Sequence, residues 1–270
     1  MVTYPNCKIN LGLHVTSKRP DGYHNIESIF LPVPLTDTLS INPSDEFSFV
    51  QDGFPIDGDP MSNLVVKAYS LLKKDYPSQV SPVDIQLTKN IPFGAGLGGG
   101  SADASFTLKM VNDLFSLHIS NAGLKNYASR LGADCPFFID NHPVYATETG
   151  NQFSEVDIDV KKYKLVLLKP QCGVSTVEAY RGLTPRPGKV DLRQAIKKPI
   201  SEWKDSIFNH FEESIFPKCP EVAELKQFLY SHGALYASMS GSGSSVYGFF
   251  NQVDESIFSA LPQSVLRYII

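Results

Sequence analysis

Cysteine is scarce in this chain of 270 residues, with four at positions 7, 135, 172 and 219. Their wide, even spacing excludes a dense disulfide scaffold and the paired ligands of a zinc knuckle, so four reduced thiols are expected. Long apolar runs are missing as well. The longest aliphatic stretch, Leu165-Val166-Leu167-Leu168, stands between Lys164 and Lys169. That is far short of the roughly 18 residues of a membrane helix; it reads as a strand, and no membrane partner is expected. Neither sign of charge dominates, with 24 Lys and Arg against 28 Asp and Glu for a net −4. No basic cluster offers a face to nucleic acid, and no nucleic-acid partner is expected. The first eight residues lack the basic and apolar regions of a secretory leader, which makes the cytoplasm the expected location. Internal repeats and low-complexity linkers are absent too, which excludes a solenoid or propeller.

What remains is ordinary globular material, 42% hydrophobic and 19% charged, long enough for one large domain or two smaller ones. Val83 to Thr88 alternates apolar and polar residues, the period of a half-buried strand. Before it, Asn63 to Tyr76 carries a helical apolar stripe, with Ser62 as the expected N-cap and Pro77 past the end. Helices are predicted from Ser101, from Asn121 to Leu131 and from Val222 to Tyr230, and strands over Tyr163–Leu168, Ala234–Met239 and Val246–Phe250. The mixed order favours an α+β fold over a doubly wound sheet. A turn at Glu148-Thr149-Gly150-Asn151 suggests a division into domains 1–152 and 153–270.

The most informative stretch is Pro92-Phe93-Gly94-Ala95-Gly96-Leu97-Gly98-Gly99-Gly100-Ser101. Glycine at so many positions costs backbone entropy in any regular element. It does let backbone N–H groups turn toward an anion, and a helix opening just after adds unpaired N–H groups and the positive end of its dipole. The combination predicts a phosphate cradle, the alternative being a surface loop with no ligand. A P-loop is excluded, because no Gly-x-x-x-x-Gly-Lys-Ser/Thr occurs. Gly94-Ala95-Gly96-Leu97-Gly98-Gly99 matches a dinucleotide fingerprint, but Asn90 to Phe93 separate it from its strand, and the ribose-binding acid is not at a strand end. The kinase Gly-rich loop fails too, with no His-Arg-Asp or Asp-Phe-Gly downstream. A second loop, Ser240-Gly241-Ser242-Gly243-Ser244, joins two predicted strands, and two such loops point to phosphoryl transfer.

Phosphoryl transfer needs charge neutralisation and a group that orients or deprotonates the acceptor hydroxyl. Lys8 and Asn10 lie two apart on a predicted strand, and so on one face of it. Asp134 stands in Gly132-Ala133-Asp134-Cys135-Pro136, just past a helix end. If Asp134 meets Lys8, the pair would leave a carboxylate ready to accept a proton. Taken alone, Asp134 is equally a turn or N-cap aspartate and Lys8 an edge-strand charge. Arg19-Pro20-Asp21-Gly22-Tyr23-His24 is a turn signal followed by two rings that could stack on a base and bond its edge, or simply complete the turn. The remaining histidines show no metal spacing, and no metal-binding residue is expected.

Three blocks together resemble the motifs of the galactokinase, homoserine kinase, mevalonate kinase and phosphomevalonate kinase superfamily: Lys8-Ile9-Asn10-Leu11, Pro92 to Ala102, and Met239 to Ser244. Arg19 to His24, Asn63 to Ala68 and Leu131 to Phe138 narrow the resemblance to the branch acting on a cytidine-diphosphate-linked methylerythritol on the non-mevalonate route to isoprenoid precursors. The resemblance implies a two-domain α+β fold with the site in the cleft between domains, and ATP and Mg2+ as cofactors. It implies Asp134 as catalytic base and Lys8 as its partner. Pro92, Phe93, Gly94, Ala95, Gly96, Leu97, Gly98, Gly99, Gly100, Ser101 and Ala102 would carry the ATP phosphates, with Asn63, Leu64 and Lys89 near the adenine. Asn10, Tyr23, His24 and Tyr180 would hold the cytidine substrate, Tyr23 and Tyr180 sandwiching the cytosine, and Gly241, Ser242 and Gly243 would close around the transferring group. Cys7 and Asp103 depart from the family pattern, with effects expected only on local packing. A kinase of homoserine or mevalonate is the alternative, though those substrates carry no base to stack. A catalytically silent binding protein would be expected to lack Lys8 or Asp134, and a nicotinamide-dependent oxidoreductase would bind NADH.

Overall fold

The computed structural model describes residues 1–55 and 58–270. Packing divides them into two units whose segments interleave along the chain. The first takes Met1–Lys8, Pro32–Phe93 and Gly98–His142, and the second takes Ile9–Leu31, Gly94–Leu97 and Pro143–Ile270. The turn at Glu148 to Asn151 is not a linker. It closes a hairpin in which Val144–Thr147 pairs antiparallel with Gln152–Glu155, and positive φ at Glu148 (56°) and Gly150 (92°) makes the reversal. A cut between 152 and 153 would pass through this hairpin; the packing boundary lies ahead of it, after His142.

In the first unit a four-stranded sheet runs in the order Val2–Thr3, Thr38–Pro43, Val83–Lys89, Ser48–Gly53. The alternation in Val83–Lys89 sets its buried face: Val83, Ile85 and Leu87 join Leu39 and Ile41 in the core. Helices Leu64–Asp75 and Gly99–Leu114 pack together over that core through Val65, Leu72, Leu108 and Val111. The cap of the Leu64–Asp75 helix is Asn63 rather than the expected Ser62, its side chain accepting from Val65 N–H at 2.9 Å. The Gly99–Leu114 helix begins two residues ahead of Ser101, because Gly98 adopts the left-handed conformation (φ 71°) that lets the chain turn straight into it.

The second unit has an antiparallel sheet ordered Tyr236–Met239, Val246–Phe250, Lys164–Lys169, Leu266–Ile269. Helix Pro220–Ser231 covers it, burying Val222, Leu225 and Leu229 against Val166, Leu168 and Phe250. A further sheet is ordered Asn6–Lys18, His24–Thr36, Val144–Thr147, Gln152–Glu155. Its first two strands are 13 residues each. Asn6–Lys18 is buried from Cys7 to Val15, its polar Lys8, Asn10 and His14 included. The thiol expectation is corrected here: Cys172 and Cys219 form a disulfide, while Cys7 and Cys135 are free and buried. The fold brings the segment after Lys164–Lys169 to the head of Pro220–Ser231, a closure invisible at a separation of 47 residues. No helix among the described residues is long and apolar enough to cross a membrane.

Candidate active site

Lys8 sits on strand Asn6–Lys18 and is 4% exposed. Its Nζ lies 3.3 Å from Asp134 Oδ2, so the structure brings together the two residues the sequence could only nominate. Asp134 occupies the turn before the short helix Phe137–Asp140, with its side chain one-third exposed. The Lys8 stem also packs on Gly98: a Cβ there would come within 3.2 Å of Lys8 Cε and 3.1 Å of the Phe138 ring. The ammonium, the carboxylate and the head of the glycine-loop helix therefore form one neighbourhood.

No side chain caps that helix. The first N–H to bond back is Ala102, on Gly98 O at 2.9 Å, which leaves the N–H groups of Gly99, Gly100 and Ser101 without intrahelical partners. Those groups and the helix dipole favour an anion at this point. Gly94, Gly96 and Gly98 all have positive φ, the loop winding through a conformation that side chains with a Cβ disfavour. Phe93 holds its ring out to solvent at 62% exposure, while Pro92, Ala95 and Leu97 are buried.

Asn63 and Leu64 border a cavity of about 550 Å³ with Phe93 and Gly100. Lys89 is corrected. Its ammonium is 2% exposed and clamped between two buried carboxylates, Asp37 and Asp103, the latter at 2.5 Å. Asp37 Oδ1 also accepts from the N–H groups of Asn90 (2.6 Å) and Ile91 (2.8 Å), which ties the cluster to the approach of the glycine loop. Burial pushes the Asp103 carboxyl up to about 8, opposed by Lys89 and reinforced by the neighbouring Asp37. Asp103 is thus not a matter of local packing alone, and Lys89 brings no uncompensated positive charge. Nothing in the spacing of positions 37, 89 and 103 signals this cluster.

In the second unit, Asn10 is buried and donates to Ser28 Oγ at 2.8 Å. Its backbone N–H donates to Ser240 Oγ at 3.3 Å, and its carbonyl accepts from the Tyr247 hydroxyl at 2.7 Å. Ser240 Oγ in turn donates to Gly96 O at 2.9 Å, and Ser245 N–H donates to Ala95 O at 3.2 Å. The middle of the first glycine loop thereby docks on the second. Gly241 and Gly243 have positive φ, and Ser242 Oγ lies 3.1 Å from Thr176 Oγ1. Asn209, which the sequence did not single out, donates to both Met239 O and Gly241 O at 2.8 Å. A lone asparagine after Phe208 carries no motif that could have found it.

The Pro-Asp-Gly turn forms as read: Asp21 Oδ1 accepts from Tyr23 N–H at 3.0 Å, and Gly22 takes φ 87°. Tyr23 projects at 67% exposure. The ring against Tyr180 is that of His24, stacked at 4.6 Å and 17°, where a base between Tyr23 and Tyr180 was expected. Tyr180 is steadied from its other side by an edge contact with Phe211 at 4.8 Å. Burial and Lys18 hold His24 below the usual imidazole range, so it presents a neutral ring. Tyr180 lies on helix Thr176–Arg181, opened by a capping box between Ser175 and Glu178.

A lysine–carboxylate pair at an uncapped helix head, beside a glycine loop, is the equipment of phosphoryl transfer: positioning and charge stabilisation, with a carboxylate to take the proton. Among the described residues no cluster of three or more His, Cys, Asp or Glu could hold a metal ion.

The model of the GHMP kinases N terminal domain matches residues 63–141, and that of the GHMP kinases C terminal domain matches residues 192–266. A 4-diphosphocytidyl-2-C-methyl-D-erythritol kinase of Parabacteroides distasonis is 54% identical over 263 residues, covering 96% of each chain. One of Bacteroides fragilis is 53% identical, covering 93% of this chain and 92% of its own. The crystal structure of a 4-(cytidine 5'-diphospho)-2C-methyl-D-erythritol kinase, 28% identical, superposes with a TM-score of 0.84 over 100% of this chain and 98% of that one. A mevalonate kinase from Methanococcus jannaschii, 14% identical, has a TM-score of 0.75 and shares the fold.

Proposed function

This chain belongs to the GHMP kinases, and we propose that it transfers the γ-phosphoryl group of ATP to the 2-hydroxyl of 4-(cytidine 5'-diphospho)-2-C-methyl-D-erythritol, giving the 2-phosphate and ADP. The substrate follows the name shared by relatives at about half identity over nearly the whole chain. The observation that carries the chemistry is Lys8 Nζ, 3.3 Å from Asp134 Oδ2 and packed against the glycine that caps the loop helix.

Asp134 accepts the proton of the 2-hydroxyl as its oxygen attacks the γ-phosphorus and ADP departs. Lys8 faces the charge that develops on the moving phosphoryl group. The N–H groups of Gly99, Gly100 and Ser101 hold the phosphates. The Ser101 hydroxyl, in the helix's first turn, would be the protein oxygen that holds a magnesium ion, which when bound would supply further charge neutralisation at the phosphates. In the second unit, Tyr23, His24 and Tyr180 offer the cytosine ring faces and an edge; stacking of this kind contributes about 1–3 kcal/mol per base. Asn10 and the Gly241–Gly243 loop complete the substrate's surroundings. The reaction would run in the cytoplasm, on the non-mevalonate route to isoprenoid precursors. Homoserine or mevalonate would leave the aromatic groups without a partner.

The test compares ADP release with the cytidylyl substrate, homoserine and mevalonate; turnover of either of the last two alone would overturn the substrate. Asp134→Asn is expected to lower kcat by about 10²-fold or more while ATP still binds. Near-normal turnover would remove the base from the mechanism.

A further inference from the structure

The cavity of about 550 Å³ in the first unit is of a size to take a small organic ligand. Its walls include the exposed Phe93 ring and Leu64, flat and apolar surfaces suited to an aromatic base. The polar groups on its Asn63 side are already engaged: Asn63 Oδ1 accepts from Val65 N–H, and its Nδ2 donates to Gln51 Oε1 at 3.1 Å. Asp103 differs. It borders the cavity at 1% exposure, and its Oδ1 has no hydrogen-bond partner among the described residues. Its other oxygen, Oδ2, is fixed by Lys89 at 2.5 Å, and Lys89 is fixed in turn by Asp37.

We propose that Asp103 is the residue that selects the nucleotide's base, its Oδ1 accepting a hydrogen bond from the 6-amino group of adenine. This rests on the kinase reading above, in which the cavity beside the glycine loop takes the nucleotide. A buried acceptor with no donor is a standing demand for one. A 6-oxo purine would set a second acceptor against it, with no proton between them, so the site rejects that base by repulsion as well as by lost bonding. With Oδ2 taken by the Lys89 ammonium, Oδ1 is the oxygen left to meet the base. Lys89 and Asp37 are positioning residues here: they touch the carboxyl, not the base.

The experiment measures kcat/KM of the full chain with ATP, inosine triphosphate (6-oxo) and purine riboside triphosphate (hydrogen at C6). The wild-type protein is expected to favour ATP over inosine triphosphate by about tenfold or more, with purine riboside triphosphate between them. Asp103→Asn can turn its amide NH2 toward a 6-oxo group, so the preference should collapse to within about threefold. A merely loosened pocket would lower both nucleotides together and leave their ratio unchanged, and that unchanged ratio would overturn the proposal. Equal use of ATP and inosine triphosphate by the wild-type protein would overturn it too, without need of a variant that folds. Failure to use any nucleoside triphosphate would instead strike the kinase reading itself.

Discussion

Two buried lysines in the first unit show how partners, not burial, assign a charge its work. Lys89 is held by two carboxylates that are themselves buried, so no positive charge is left over for a phosphate. Lys8 pairs with Asp134, whose side chain is one-third exposed, at a helix head with unpaired N–H groups. In the second unit, His14 is buried against His210 at 4.8 Å, and burial, with His210 and Arg186, lowers it to about 4. The unfolded chain takes up the proton first as pH falls, its imidazole titrating near 6.5. The stability that goes with neutral His14 is therefore complete above about 6.5 and is lost as pH falls toward about 4. NMR should place the His14 midpoint near 4, and the unfolding temperature of His14→Gln should fall less than the wild type's between pH 6.5 and 4. Equal slopes would contradict this.

Among the elements, the first glycine loop makes the sharpest prediction, because its glycines are there for different reasons. Gly94 has φ 63° but open space around it, whereas a Cβ on Gly96 (φ 75°) would lie 2.1 Å from Ser240 O. Gly94→Ala should cost only the left-handed strain of about 1–2 kcal/mol. Gly96→Ala adds a backbone clash that forces the two glycine loops apart, so kcat/KM should fall by tenfold or more (about 1.4 kcal/mol or above). Thermal melts and steady-state kinetics on both variants check the contrast; similar behaviour would mean the loops are not coupled. The loop's turn into a helix was legible in the sequence, since five glycines run there into an apolar helical stripe. Its docking on Ser240 was not, because that contact joins residues 144 apart and no local pattern records it.

For the molecule as a whole, the Cys172–Cys219 bond closes a loop across the second unit. Cys172→Ser should lower stability by about 2–4 kcal/mol in urea unfolding, and reductant should bring the wild type to the same midpoint; no change would mean that the bond does not form. The pairing also shows where sequence alone stopped. Periodicity, caps and turn residues act over a few positions, and these specified the α+β class, the Val83–Lys89 strand, the loop helix and the Pro-Asp-Gly turn. The motif blocks nominated Lys8 and Asp134, because phosphoryl transfer calls for those residue types. The tertiary structure decided what depends on distant chain segments meeting: that Lys8 touches Asp134, that Lys89 is neutralised by Asp37 and Asp103, and that His24 covers Tyr180. It also decided that the packing units interleave, with residues 94–97 joining the second unit rather than the first. Backbone preferences are local and are written in neighbouring side chains. Burial and charge pairing are set by whatever the fold brings alongside.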